Sequence, residues 1–109
     1  MVNSKDKGKR GEREWAEKCR EHGFTEAKRG QQYHGLEGED VVGLPQLWQE
    51  VKWVERLNIH DAIEQAVNDS GDRIPIVAHK KNRKPWLVTM LADDWFEFYR
   101  KYLEEGGGE

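Results

Sequence analysis

The spacing of hydrophobic positions changes several times along the chain, and each change marks an element. Over residues 9–22 the apolar positions recur at helical spacing. At 100° per residue Trp15, Ala16 and Cys19 fall on one narrow stripe, and Gly23 stands where such a helix would end. Residues 47–54 alternate instead. Leu47, Gln49, Val51 and Trp53 share one face and Trp48, Glu50, Lys52 and Val54 the other, the two-residue period of a strand. Residues 40–43 read as a short strand closed by a turn at Leu44-Pro45, and the polar, glycine-containing stretch 30–38 before them reads as a mobile loop. Asn58 is suited to cap a helix through residue 68, whose apolar stripe is Ile59, Ala62, Ile63 and Ala66, with Gln65 on the flank. Residues 74–79 and 86–91 read as strands joined by the basic tip Lys80-Lys81-Asn82-Arg83-Lys84. Asp93 or Asp94 is positioned to cap a last helix carrying Trp95, Phe96, Tyr99, Tyr102 and Leu103. The order α-β-β-α-β-β-α predicts an α/β fold with a mixed central sheet flanked by helices. One domain is expected over residues 9–104, between flexible ends at 1–8 and 105–109.

Composition changes this picture in one respect. Hydrophobic residues make up 36% of the chain and charged residues another 36%, so the core must be thin. Eleven aromatic side chains, each able to bury ~150–250 Å², are expected to compensate, and self-association is an attractive further source of burial. Cys19 is alone and the four histidines lack ligand spacing, which excludes an intrachain disulfide and a Cys/His zinc site. No apolar run approaches the ~20 residues that span a bilayer, and the polar first residues do not form a signal-peptide core. A protein of the cytoplasm, away from membranes, is the expectation.

The net charge of −3 does not by itself suggest a nucleic-acid partner, but its distribution does. Basic residues gather at Lys5, Lys7, Lys9, Arg10 and Arg13, at Lys28-Arg29, and at Lys80, Lys81, Arg83 and Lys84. They surround an acidic centre at Glu37, Glu39 and Asp40. Three carboxylates stand out by position. Glu12 falls on the inward stripe of the first helix, whereas Glu14, Glu17 and Glu21 point away from it; Asp40 opens a strand; Glu50 lies on a strand face with Lys52 beside it. A hard divalent cation takes carboxylate oxygens, and in phosphate chemistry Mg²⁺ is typically held by one or two of them. A neighbouring lysine orients the attacking water or neutralises charge developing on the phosphate. Asp-x(9)-Glu-x-Lys supplies these parts. The ordinary alternatives are that Glu12 sits in a frayed first turn and that Glu50 and Lys52 form a surface ion pair.

The full string is less ordinary. Lys9-Arg10-Gly11-Glu12-Arg13-Glu14, Gly38-Glu39-Asp40-Val41-Val42 and Gln49-Glu50-Val51-Lys52 together resemble the PD-(D/E)xK nuclease superfamily, and within it the small stand-alone Holliday junction resolvases of archaeal and phage type. The resemblance runs from Lys9 to about Lys80. It departs at Glu39, where the superfamily has proline, a position that supplies backbone shape rather than a ligand. The likeness implies a restriction-endonuclease-like fold and a metal-dependent endonuclease. Its catalytic residues would be Glu12, Asp40, Glu50 and Lys52, with Mg²⁺ or Mn²⁺ held by Asp40, Glu50 and the Val51 carbonyl, and Glu12 in support. It further implies branched DNA, four-way junctions above all, as substrate; a homodimer as the working unit; and Gln65 as a polar residue on the following helix. A phage-encoded enzyme of this kind would work in the host cytoplasm.

Residues expected on DNA are Lys9, Arg10, Arg13, Lys28, Arg29, Gln65, Lys80, Lys81, Arg83 and Lys84. The tip at Lys80–Lys84 reads either as a phosphate clamp or as a solvated turn, and His34 as a DNA contact or plain polar surface. Trp48 either packs beside Glu50 or stacks on an unpaired base. Trp15, Trp53, Trp86 and Trp95 are assigned to the core or to a dimer contact. No recognition helix or zinc finger is visible, which favours recognition of DNA shape through backbone contacts. The alternatives are a nicking, flap-processing or phage DNA-processing nuclease of the same superfamily, a non-catalytic DNA-binding module, and a protein-interaction domain with a chance motif.

Overall fold

The computed structural model describes residues 4–30 and 38–106. The expectations for the loop at 31–37, His34 among them, and for the final residues 107–109 lie outside the described residues. The elements are α1 (Ser4–Glu21), β1 (Lys28–Arg29), β2 (Val41–Val42), β3 (Leu47–Trp53), α2 (Ile59–Asp69), β4 (Ile74–Lys80), β5 (Leu87–Met90) and α3 (Ala92–Glu104). The class is the expected one, mixed α/β with a five-stranded sheet, but one strand more than predicted is present. The sequence Lys28-Arg29 shows no alternation, and these two charged residues become a strand only by pairing with β2.

The sheet order follows the chain, β1-β2-β3-β4-β5. β3 and β4 are parallel over seven residues, from Leu47 opposite Ile74 to Trp53 opposite Lys80, and every other pair is antiparallel. A parallel pair needs a crossover, and α2 provides it. The alternation along β3 sorts the two faces as predicted. Val51 packs with Trp15, Ala16 and Cys19 of α1, together with Ala27, Val41 and Ala78; Trp48 packs with Ala62 and Ala66 of α2 and with Val77. The two helices therefore cover opposite faces. Gln49 is fully buried under α1 and is satisfied there: its Oε1 accepts from Trp15 Nε1 at 2.9 Å and its Nε2 donates to the Val41 carbonyl at 3.2 Å.

Most boundaries shift by a residue or so, and three differences have a clear physical cause. α1 begins at Ser4 rather than Lys9, because nothing in residues 4–8 stops a helix except Gly8, and a single helical glycine costs only about 1 kcal/mol. α3 begins at Ala92, with Leu91 at the cap position and no side-chain cap; Asp93 and Asp94 lie instead in the first turn, where the helix dipole favours them. The third strand boundary moves from Trp86 to Leu87, since Trp86 turns to pack on Trp15, 5.2 Å between rings. Gly23 and Asn58 behave as read. Gly23 has φ +98° and is followed by a Phe24 N–H to Cys19 carbonyl bond, and the Asn58 side chain accepts from Asp61 N–H at 3.1 Å.

The expected role of the aromatics needs correction. Among the described residues the buried core consists mostly of alanine and valine, with Trp15 and Trp48 as its largest members. Trp95, Phe96, Phe98, Tyr99 and Tyr102 all lie on α3 and are 44–56% exposed. With so little apolar bulk, backbone fit between β2 and the chain after α1 matters. Gly43 has φ +106°, and a Cβ there would stand 2.6 Å from Ala27 Cα. Gly43→Ala is expected to destabilise the fold by roughly 1–3 kcal/mol in urea unfolding, from overpacking and an unsuitable φ together. An unchanged midpoint would show that the β2 end is looser than this packing implies.

Candidate active site

β2 is two residues long and pairs with β3 only at Val41–Gln49. Next to that pair, side chains replace strand backbone. The Gln49 N–H donates to Glu39 Oε2 at 3.0 Å, and the Val51 N–H donates to Asp40 Oδ2 at 2.8 Å. The Asp40 backbone is fixed on both sides, its N–H on the Gln49 carbonyl at 3.0 Å and its carbonyl receiving the Gly30 N–H at 2.8 Å. Asp40 is thereby clamped against β3, where Glu50 projects. Glu50 is 3% exposed, and Trp48, two residues away on the same face, donates its Nε1 to Glu50 Oε1 at 2.9 Å. Each carboxylate has one oxygen committed in these bonds, which leaves Asp40 Oδ1 and Glu50 Oε2 outside them.

Crowding of the two acids has an electrostatic signature. Asp40 is pushed up to about 7, first by burial and then by the Glu50 charge; protonated, it donates a hydrogen bond to Glu50. The Val51 N–H and the Lys52 charge pull the other way without cancelling this. Glu12 joins from α1. Its Oε1 accepts from Arg29 Nε at 3.0 Å, and its carboxyl is raised by burial and by Asp40, against the opposing pull of Arg29 and Lys52. The structure thus brings Glu12, Asp40, Glu50 and Lys52 into one electrostatic neighbourhood where β2 leaves β3. In a pleated strand Val51 turns its N–H and carbonyl to the same edge, so its carbonyl also faces the β2 side, beyond the end of β2.

Among the described residues no group of three or more His, Cys, Asp and Glu side chains forms a ready-made metal cage. Two abutting carboxylates with a backbone carbonyl nearby nonetheless fit a hard dication, which needs few protein ligands and relieves their repulsion. A metal entering there would displace the shared proton.

The predicted DNA-contacting residues divide into groups. Lys9, Arg10 and Arg13 are exposed along α1 around Glu12, with the Arg10 guanidinium 5.0 Å from the Trp53 ring centre. Lys28 is exposed on β1, while Arg29 is committed to Glu12. Lys81, Arg83 and Lys84 are exposed in the turn between β4 and β5. Lys80 is not part of that free tip: it binds Glu14 Oε1 at 2.8 Å and lies 4.5 Å from the Trp53 ring centre. Gln65 is exposed on α2 among Asp61, Glu64, Asn68 and Asp69, acidic surroundings that suit phosphate poorly.

Glu14 also corrects an expectation. Rather than pointing to solvent, it receives Lys80 and the Trp86 indole N–H at 3.0 Å, and these hold its carboxyl below the usual range. Long side chains from the β4–β5 end reach around the helix to it, which a helical wheel does not register. Glu17 and Glu21 are exposed glutamates of this helix.

Two contributors went unread in the sequence. Glu39 is 7% exposed, raised by burial, and paired with Arg73 Nη1 at 2.8 Å; Arg73 in turn lies 4.9 Å from the Trp48 ring centre. The signal available was its adjacency to Asp40, since neighbouring residues of an extended segment point to opposite sides. His79 is the β4 partner of Lys52 and shares a 2.9 Å hydrogen bond with Thr89 Oγ1; burial lowers its pKa.

No protein-family model matches the chain, and no curated protein or solved structure shows significant similarity to it.

The Asp40 shift fixes a sign for stability. Asp40 holds its proton more tightly folded (about 7) than unfolded (3.8), so its favourable contribution is full below pH ~4 and is lost as pH rises through about 7. Glu12 and Glu39 shift the same way. Without metal, the protein is expected to melt at a lower temperature at pH 8 than at pH 5.5. Asp40→Asn, which keeps an acceptor for the Val51 N–H, should raise the pH 8 melting temperature and narrow the difference. A wild-type melting temperature that rose between those pH values would contradict the crowding of these acids.

Proposed function

We propose that the chain is a metal-dependent DNA endonuclease of the PD-(D/E)xK type, with a restriction-endonuclease-like fold and branched DNA, four-way junctions first, as its substrate. One observation carries this reading: Asp40 and Glu50 abut at the divergence of two strands, with Lys52 two residues along the same face. Elementary electrostatics disfavours two buried, adjacent acids unless a cation shares them. The superfamily resemblance of the string that carries them points to the same residues.

In this mechanism Asp40, Glu50 and the Val51 carbonyl would hold Mg²⁺ or Mn²⁺. The ion, when bound, supplies acidity to a water and neutralises charge on the phosphate oxygens. Trp48 holds Glu50 by one oxygen and Val51 N–H holds Asp40 by one, so both acids are oriented before substrate arrives. Lys52, on the Glu50 face of β3, offsets the negative charge that grows as water attacks phosphorus. As the water's oxygen bonds to phosphorus, the P–O bond to one sugar oxygen breaks; water gives up a proton to solvent and the departing oxygen takes one up, so that hydroxyl ends on phosphorus and hydrogen on the sugar. Glu12, half-buried and tethered to Arg29, orients water from the α1 side. The exposed cations Lys9, Arg10, Arg13 and Lys28 flank this opening and supply phosphate contacts despite the net charge of −3. The exposed turn residues Lys81, Arg83 and Lys84 extend them.

Purified protein with a labelled four-way junction and Mg²⁺ should cleave it, and Asp40→Ala, Glu50→Ala and Lys52→Ala should each reduce cleavage at least a hundredfold while junction binding persists. Glu12→Ala should fall well below Glu17→Ala, the exposed control. Cleavage of linear duplex, flaps and junctions at equal rates would remove the preference for branches. No Mg²⁺-dependent cleavage of any DNA would remove the nuclease reading. Neutralising Lys81 and Lys84 together should lower the slope of log affinity against log salt by about 2, at ~0.9 per phosphate contact; an unchanged slope would leave that turn as solvated surface.

A further inference from the structure

Arg73 lies in the turn between α2 and β4, one residue before Ile74, outside the elements that carry the acids. That turn is fixed at both ends. The Arg73 N–H donates to the Ser70 carbonyl at 3.0 Å, Gly71 takes φ +60°, and the Ile74 N–H donates to the Gln46 carbonyl at 2.8 Å. From this anchored position the side chain reaches across β3. Its Nη1 donates to Glu39 Oε1 at 2.8 Å and to the Leu47 carbonyl at 3.3 Å, and the guanidinium stands 4.9 Å from the Trp48 ring centre.

Both side-chain contacts lead to an acid of the candidate site. Glu39 precedes Asp40 in the chain, and its second oxygen accepts the Gln49 N–H at 3.0 Å while the Asp40 N–H donates to the Gln49 carbonyl at 3.0 Å. Residues 39 and 40 thus grip both backbone groups of Gln49, and Arg73 holds the first grip in place. Trp48 donates its indole N–H to Glu50 Oε1 at 2.9 Å. With Asp40 hydrogen-bonded to Glu50, a ring of five residues closes: Arg73, Glu39, Asp40, Glu50 and Trp48.

We propose that Arg73 is a positioning residue of this site: one guanidinium orients Asp40 through Glu39 and Glu50 through Trp48, so that their uncommitted oxygens converge on one cation. Its purpose rests on the nuclease reading; its geometry does not. Arginine suits the task where lysine does not. A planar guanidinium donates in its plane and stacks with its face, so it serves a carboxylate and an indole together, whereas an ammonium is a point charge without a face. The sign of the charge separates this role from a field effect. A positive charge near the site opposes a dication, so loss of the charge alone would tighten metal binding. Loss of orientation weakens it, and groups that orient metal-binding side chains without touching the ion carry roughly 10–100-fold in affinity.

Mn²⁺ binding to the full chain without DNA, followed by electron paramagnetic resonance, tests this apart from cleavage. Arg73→Ala should bind Mn²⁺ roughly 10–100-fold more weakly than wild type, and Arg73→Lys, which keeps a charge for Glu39 but no face for Trp48, should fall between them. In a Trp48→Phe background, where the indole N–H to Glu50 is already gone, Arg73→Lys should cost little further. Asn58→Ala, which loses the α2 cap and with it stability, should bind as wild type does. Unchanged or tighter Mn²⁺ binding in folded Arg73→Ala overturns the proposal, as does equal weakening in Asn58→Ala. Should Arg73→Ala not fold, Arg73→Lys takes its place in these comparisons, and wild-type affinity overturns the proposal. A wild-type chain that binds no Mn²⁺ fails the nuclease reading, and hydrogen exchange then decides the positioning role. In Arg73→Ala the Val51 N–H and the Trp48 indole N–H should exchange about tenfold faster than in Asn58→Ala, and equal rates overturn it.

Discussion

Two backbone N–H groups of β3, those of Gln49 and Val51, have carboxylates as partners where a neighbouring strand would ordinarily supply carbonyls. β2 is too short to reach them, and an unpaired N–H inside the fold costs about 1–3 kcal/mol. Glu39 and Asp40 close the gap with their side chains, and this substitution governs the rest. It draws two acids into the sheet edge, brings Asp40 against Glu50, and fixes where β2 and β3 part. The candidate site is therefore not attached to the surface of a finished fold; the same bonds complete the sheet and hold the acids.

Gathering carboxylates in this way carries an electrostatic cost that the surrounding cations only partly offset. Arg73 answers Glu39, Arg29 answers Glu12, and the Trp48 indole supports Glu50, yet Asp40 remains at about 7 and Glu12 and Glu39 remain raised. Lys52 draws Asp40 down without cancelling the shift, and other cations are committed elsewhere. Lys80, for example, is on the α1 side with Glu14, Trp53 and Trp86. An arrangement that stabilises acids individually but leaves their mutual repulsion standing is what a dication would be expected to exploit, and it runs against stability at neutral pH.

How much of this was legible depended on whether a residue's role followed from local period. The alternation in residues 47–54 assigned Gln49 and Val51 to one face and Trp48, Glu50 and Lys52 to the other, and both helices pack accordingly. Asn58 and Gly23 announced their caps through chemistry confined to one turn. Long-range features were not legible. β1 exists because β2 is beside it, so Lys28-Arg29 had no pattern to offer. Glu14 was read from a helical wheel that could not include Lys80, sixty-six residues away, and Glu39 was set aside as a backbone position although its carboxylate completes the sheet. The basic tip looked continuous in sequence, but the strand register draws Lys80 inward and leaves Lys81, Arg83 and Lys84 outside.

Composition was the least reliable guide, for a physical reason that bears on the whole molecule. Aromatic content was expected to thicken a thin core, yet five of these side chains lie on α3 while alanine and valine fill the space between sheet and helices. Small residues let α1 and α2 approach the sheet closely, with Ala16, Ala66 and Ala78 all nearly inaccessible, and such a core gains little apolar burial per residue. Much of the bulk that would raise it lies exposed on α3. The sheet edge concentrates the acids at a cost in stability, and the last helix holds aromatic bulk that the core between sheet and helices does not use.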